Sequence, residues 1–255
     1  MPRKANRRLR LFLLLAYVSL ACFFVFIFKP VYLLSIIIVL VPPALVNFFW
    51  LKHSRAKILI FSLLSALLFA PAVEIMARLT NAWDVQSVLP RLFGVAPLEN
   101  ILFAFLNFFW VLSFYEYFID HDNGGRISRR IHYLVLAYCL LTTLVFTLFF
   151  VNANWIAFNY HTLSLMILLV PGIIIFTHRP KLLIKTWLPT LFFALVFFVY
   201  EYVSLAIGSW WWPGEYLLAV VLAGKTFPLD DVIIWYFLST PVLIGGYEFF
   251  ADDGK

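Results

Sequence analysis

Residues 200–231 read YEYVSLAIGSWWWPGEYLLAVVLAGKTFPLDD, and the rest of the chain is organised around this stretch. An apolar helix carries an acid near its end, Glu201. A loop containing Trp210, Trp211 and Trp212 follows, and Pro228-Leu229 then leads into Asp230 and Asp231 at the mouth of the next apolar helix. A weaker copy runs from Glu74 to Asn100. In register, Glu74 meets Glu201, Trp83 falls against the tryptophan run, and Pro97-Leu98-Glu99-Asn100 meets Pro228-Leu229-Asp230-Asp231. The pattern is an internal repeat with acids at its corners.

Around this repeat the chain is 64% hydrophobic, 20% aromatic and 13% charged. That charged fraction is about half the roughly 25% of soluble domains. Apolar runs near 20 residues are long enough to cross a hydrocarbon core of about 30 Å as helices. These properties predict an all-α, polytopic integral membrane protein. The runs fall at roughly 11–28, 31–51, 57–79, 97–119, 131–151, 161–177, 187–207 and 228–250, which predicts eight spans. The basic start MPRKANRRLR precedes an apolar run with no clear small-residue cleavage site, so it reads as a retained first helix. Cys22 and Cys139 lie inside apolar runs and read as small buried packing residues, with no disulfide expected.

Charge placement tests the span count. With the N-terminus inside, Arg3, Lys4, Arg7, Arg8, Arg10, Lys52, Arg55, Lys57, Arg126, Arg129, Arg130, Arg179, Lys181, Lys185 and Lys255 fall on the inner side. Only Lys29, Arg78, Arg91 and Lys225 fall outside. The positive-inside rule then predicts eight spans in the cell membrane, with both termini cytoplasmic. It also explains the net charge of +6 without nucleic acid, because basic residues in short loops set orientation and meet anionic lipid. Four spans per repeat keep the halves, 1–125 and 126–255, in the same orientation, related by a pseudo-twofold axis along the membrane normal.

Glu74 and Glu201 sit in the last turns of their spans, where the helix dipole opposes a negative charge, so a cavity-facing functional role is the stronger reading. Glu99, Asp230 and Asp231 sit in first turns, where an acid is an ordinary start signal, and that reading weighs about equally. A second pair, FYEYFID at 114–120 and GYEFFADD at 246–253, places Tyr115-Glu116 and Tyr247-Glu248 near the inner loops. Pairing with Arg126, Arg129 or Arg130 is the expectation there. Gly224-Lys225-Thr226 lacks the upstream Gly and the preceding strand of a phosphate-binding loop. Residues 120–125, DHDNGG, read as a turn, and no metal site or cofactor is expected.

The acid-bearing helix, the tryptophans and GEYLLAVVLAGKTFPLDD resemble the repeat of the integral-membrane lycopene cyclases of non-photosynthetic bacteria, archaea and fungi. The hallmark of that family is Pro-x-Glu-Glu at a helix start. PAVE at 71–74, Trp83 and PLEN at 97–100 match it more loosely. This sequence has Glu99-Asn100 and Asp230-Asp231 where the family has paired glutamates. The resemblance implies flavin-free, redox-neutral ring closure of a linear carotene, a β-ring above all. An acid protonates a terminal double bond, an internal double bond closes on the cation, and a proton is lost. It assigns proton handling to Glu201, Asp230, Asp231, Glu74 and Glu99. Trp83, Trp210, Trp211, Trp212 and Asn100 would line the substrate, with aromatic faces stabilising the cation. The implied partners are a lycopene-like polyene, membrane lipid and other enzymes of carotenoid biosynthesis. Two other classes fit the same residues: a non-catalytic isoprenoid-binding protein, which would tolerate loss of the acids, and a small secondary transporter.

Overall fold

Apolar side chains in runs of this length leave the backbone no water to bond, so its N–H and C=O groups pair within helices. The computed structural model describes residues 2–124, 126–214, 216, 218–228 and 235–252. Among the described residues six helices are long and apolar enough to cross a membrane: α1 (Asn6–Phe28), α2 (Tyr32–Trp50), α3 (Arg55–Leu79), α4 (Leu98–Asp120), α5 (Ile131–Ile156) and α7 (Lys181–Ile207). Two shorter apolar helices stand with them, α6 (Thr162–His178) and α8 (Phe237–Phe250). The fold is all-α, as the composition predicts. Much of its outer surface is apolar, Ile184 being 75% exposed and Leu20 69%, a surface suited to hydrocarbon rather than water. Cys22 is buried as expected. Cys139 is exposed on α5, a helix that buries little of its surface.

The helix contacts come in matching sets. α2 packs on α4, and α6 on α8; α3 packs on α4, and α7 on α8. α1 packs against α7, and α5 against α3. Aromatic rings fill the centre between α4 and α7, with Trp110 5.0 Å from Phe193 and Phe114 4.4 Å from Phe192.

Proline shapes two helices at matching points. In α3 the Ala70 N–H reaches back to Ser65 O, a five-residue π-type turn just before Pro71. In α6 the Val170 N–H reaches Leu165 O just before Pro171. A proline cannot donate to the carbonyl four residues earlier and crowds it, so a widened turn accommodates the ring.

Short strands tie the loops. β1 (Asp84–Val85) pairs antiparallel with β4 (Trp210–Trp211), joining the tryptophan loops of the two repeat copies. β2 (Arg91–Leu92) and β3 (Ala96–Pro97) form a hairpin, as do β5 (Ala219–Leu222) and β6 (Lys225–Pro228). A strand therefore does precede Gly224-Lys225-Thr226, contrary to expectation. It turns back through Ala223 and Gly224, both at positive φ, into a second strand rather than a helix, so the segment is a hairpin turn.

The DHDNGG turn clasps its neighbour. Asp122 accepts from the backbone N–H of Lys52 at 2.6 Å, Ser54 at 2.9 Å and His53 at 3.1 Å, locking the α2–α3 connection to the end of α4. Burial pulls its carboxyl up, but these backbone donors outweigh burial and hold it below the usual aspartate range. A lowered folded value means that the clasp contributes fully at neutral pH and is lost as pH falls below about 3.9. Asp122→Asn should remove that part of the acid limb in thermal unfolding measured against pH.

Small residues bring α6 and α8 together. A Cβ on Gly245 would lie 2.7 Å from Ile175 Cγ2, and one on Gly172 3.1 Å from Val242 Cγ2. The branched Ile175 cannot swing aside cheaply. Gly245→Val should destabilise by about 1–3 kcal/mol in a detergent thermal-shift assay, with a smaller effect from Gly172→Ala.

Candidate functional site

A carboxylate carried on an apolar helix must find hydrogen-bond donors inside the protein. Glu74 is buried on α3 and accepts from Asn100 Nδ2 at 2.9 Å and from Trp83 Nε1 at 3.2 and 3.3 Å. Glu201 is buried on α7 and accepts from Trp212 Nε1 at 2.9 Å. Each repeat copy thus supplies one glutamate and one indole N–H from the loop that follows it. The two indoles meet edge to face, 6.2 Å between ring centroids, and Trp83 also meets Trp235 at 5.6 Å.

These groups lie along one cavity of about 440 Å³, within the usual range for small-molecule sites. Its wall holds Glu74, Glu201, Asn100, Trp83, Trp210 and Trp212 with Tyr32, Phe103 and Tyr200, and continues along Phe61, Tyr138, Ile175 and Phe250. The lining is mainly aliphatic and aromatic. Both widened turns reach it, through Ser65 and Phe69 in α3 and Ile167 and Leu168 in α6. The cavity therefore presents carboxyl groups and aromatic faces to whatever occupies it.

Of the residues the sequence singles out, Glu74, Glu201, Asn100, Trp83, Trp210 and Trp212 line this cavity. Trp211 does not: it alternates outward in β4 and is 43% exposed. Glu99 is fully buried away from the lining and closes the 87–89 loop, accepting from the Val88 and Leu89 backbone N–H at 2.6 Å and from Ser87 Oγ at 2.7 Å. Its donors are those of a structural helix-start acid. Asp230 and Asp231 lie outside the described residues.

Ion pairs brace the loop beside the acid end. Asp84 in β1 pairs with Arg78 at 2.7 Å and Arg91 at 3.1 Å, and Arg78 also donates to Trp83 O at 3.2 Å. Arg78 and Arg91 thus brace the strand next to Trp83.

The sequence reading missed several lining residues. Asn107 lies one heptad after Asn100 on α4, and Tyr236, Ser239 and Thr240 fall near the start of α8. The signal was present as polar side chains at i, i+3, i+4 and i+7 spacing within apolar helices. Among the cavity-lining residues, five polar atoms lack a hydrogen-bond partner: Asn100 Oδ1, Trp210 Nε1, Trp235 Nε1, Tyr236 O–H and Thr240 Oγ1. Each such group costs about 1–3 kcal/mol if nothing meets it.

At the other end of the helices a buried network joins the Tyr-Glu pairs crosswise. Tyr115 donates to Glu248, and Tyr247 donates to Glu116. Lys57, fully buried, lies 2.9 Å from Glu116 and 2.6 Å from Asp252, while Ser54 Oγ donates to Glu116 at 2.8 Å. Lys185 reaches Asp120 at 3.0 Å. The acids thus pair with lysines and tyrosines, not with Arg126, Arg129 or Arg130 as expected from the loop charges. Arg130 donates instead to Phe249 O. One oxygen each of Glu116, Asp120 and Asp252 lie within 4.8 Å of one another, and the two lysine ammonium groups supply the positive charge there.

No family model, curated protein or solved structure matches this chain.

Removing one member of a buried ion pair strands the other, at a cost of about 3–5 kcal/mol. Lys57→Met should cost that much in detergent unfolding, and Lys57→Met combined with Glu116→Gln should recover part of it.

Proposed function

We propose that this chain is a flavin-free, lycopene cyclase-like enzyme that closes a ring at the end of a linear carotene, most naturally a β-ring, by acid catalysis. The observation that carries this reading is the pairing of Glu74 and Glu201 with indole N–H groups along one aromatic, mainly apolar cavity. Such a cavity accepts a polyene, and a carboxyl group inside it reaches the substrate without bulk water.

The chemistry needs no redox partner. A carboxylic proton adds to the terminal double bond, leaving a cation on the more substituted carbon. The electron pair of an internal double bond closes the ring and moves the cation into it. A ring proton then leaves to a carboxylate, restoring a double bond. Glu74 and Glu201 handle these protons, and Asp230 and Asp231 join them on sequence grounds. The faces of Trp83, Trp210 and Trp212 stabilise the cation while the lining keeps water from capturing it. Asn100 orients Glu74 through its 2.9 Å hydrogen bond. Glu99 serves the fold of its loop, and Trp211 stands outside the lining.

The same proposal carries the finer architecture. Eight spans form two parallel four-helix repeats, 1–125 and 126–255, in the cell membrane with both termini cytoplasmic. The matching helix contacts and the reciprocal Tyr115–Glu248 and Tyr247–Glu116 bonds support a pseudo-twofold relation. Lycopene-like carotenes are the substrates, membrane lipid is the surroundings, and other enzymes of carotenoid biosynthesis are the functional partners.

Expression of the wild type in a bacterium that accumulates lycopene should yield cyclic carotenes. Glu74→Gln and Glu201→Gln, each confirmed in the membrane, should lower product at least about 100-fold, as loss of a general acid does. Unchanged lycopene with the wild type would overturn the cyclase reading, and wild-type yield from both variants would overturn the assignment of the acids.

A further inference from the structure

The cavity holds more hydrogen-bonding capacity than a hydrocarbon can use. Four tryptophans line it, and they divide sharply. The N–H groups of Trp83 and Trp212 are taken by Glu74 and Glu201, whereas those of Trp210 and Trp235 meet no acceptor among the described residues. An indole N–H can only donate, so both are open to an acceptor atom that the described residues do not supply. The Tyr236 and Thr240 hydroxyls stand in the same position. They are 6% and 1% exposed, so bulk water does not reach them. Tyr236 and Thr240 lie four residues apart, on one face of the helical segment that also bears Trp235. Opposed to these donors is one unpartnered acceptor, Asn100 Oδ1, 6% exposed, whose amide nitrogen already holds Glu74.

We infer that the cavity takes an isoprenoid bearing a hydroxyl group, and that its oxygen accepts from up to two of the donors that Trp210, Trp235, Tyr236 and Thr240 offer. A hydroxyl accepts from the donors and can give its own proton to an acceptor such as Asn100 Oδ1; a bare hydrocarbon does neither. The inference rests on the polyene reading of the same cavity and narrows it, from carotenes at large to oxygenated ones. It divides the labour among the tryptophans: Trp83 and Trp212 hold the acids, and Trp210 and Trp235 read the substrate.

The test is a visible-absorbance titration of the purified full chain in detergent with lycopene and with its monohydroxylated derivative. The hydroxylated polyene should bind at least about tenfold more tightly, equivalent to ~1.4 kcal/mol. Tyr236→Phe and Thr240→Val, checked by circular dichroism and size exclusion, should each bring the ratio toward one. Trp235→Phe replaces either variant that fails to fold. Equal affinity for the two polyenes would overturn the inference, with ordered water then satisfying the polar atoms, and so would a preference intact in the folded variants. The outcome is separable from the cyclase reading. A hydroxyl preference in a protein that leaves lycopene uncyclised would sink the enzyme and keep this inference. Cyclised lycopene without a preference would do the reverse.

Discussion

A carboxylate taken out of water costs several kcal/mol unless protein donors replace its hydration. Among the described residues six acids are buried, Glu74, Glu99, Glu116, Glu201, Glu248 and Asp252. Each has found donors: indoles, an amide, backbone N–H groups, tyrosines or lysine. Much of the fold follows from where those donors come from. Trp83 and Trp212 must fold back over the helix ends to reach Glu74 and Glu201, which sets the path of the loops. Tyr115 and Tyr247 must face Glu248 and Glu116 on partner helices, which sets how α4 and α8 face each other.

The two ends of the bundle satisfy the same constraint differently. At the end that holds Lys57 the pairing is crosswise and dense, with ammonium, hydroxyl and carboxyl groups buried together. Such a network tolerates no single removal, so it fixes one arrangement of helices. At the tryptophan end Glu74, Glu99 and Glu201 accept from neutral N–H donors. Glu74 and Glu201 both line the mainly apolar cavity. The first arrangement holds the bundle together, and the second leaves chemistry available.

The repeat was legible because it preserves residue type and spacing. Glu74 and Glu201, each followed by a tryptophan loop, stand out in the sequence, as do the two Tyr-Glu pairs. What sequence could not reveal was partner choice. Nothing in FYEYFID indicates that Tyr115 serves Glu248, because the acceptor lies more than 130 residues away. Glu99 carries the same helix-start signature whether it serves a loop or a substrate, and its three donors from residues 87–89 were not legible in that signature. Cys139 looks like Cys22 in an apolar run, yet it lies on a helix face turned outward, and local hydropathy does not distinguish the two. The β5–β6 hairpin was hidden by a motif-like GKT whose real role is its turn.

The β1–β4 bridge has a further consequence for how the cavity is supplied. Strand pairing between Asp84–Val85 and Trp210–Trp211, braced by Arg78 and Arg91, lies across the tryptophan end. Under the proposed function, a hydrophobic guest would reach this cavity out of the surrounding lipid. Occupancy then tracks the guest's mole fraction in the bilayer rather than its aqueous concentration. A molecule almost insoluble in water is thereby an abundant one, and the protein needs only modest intrinsic affinity to stay filled.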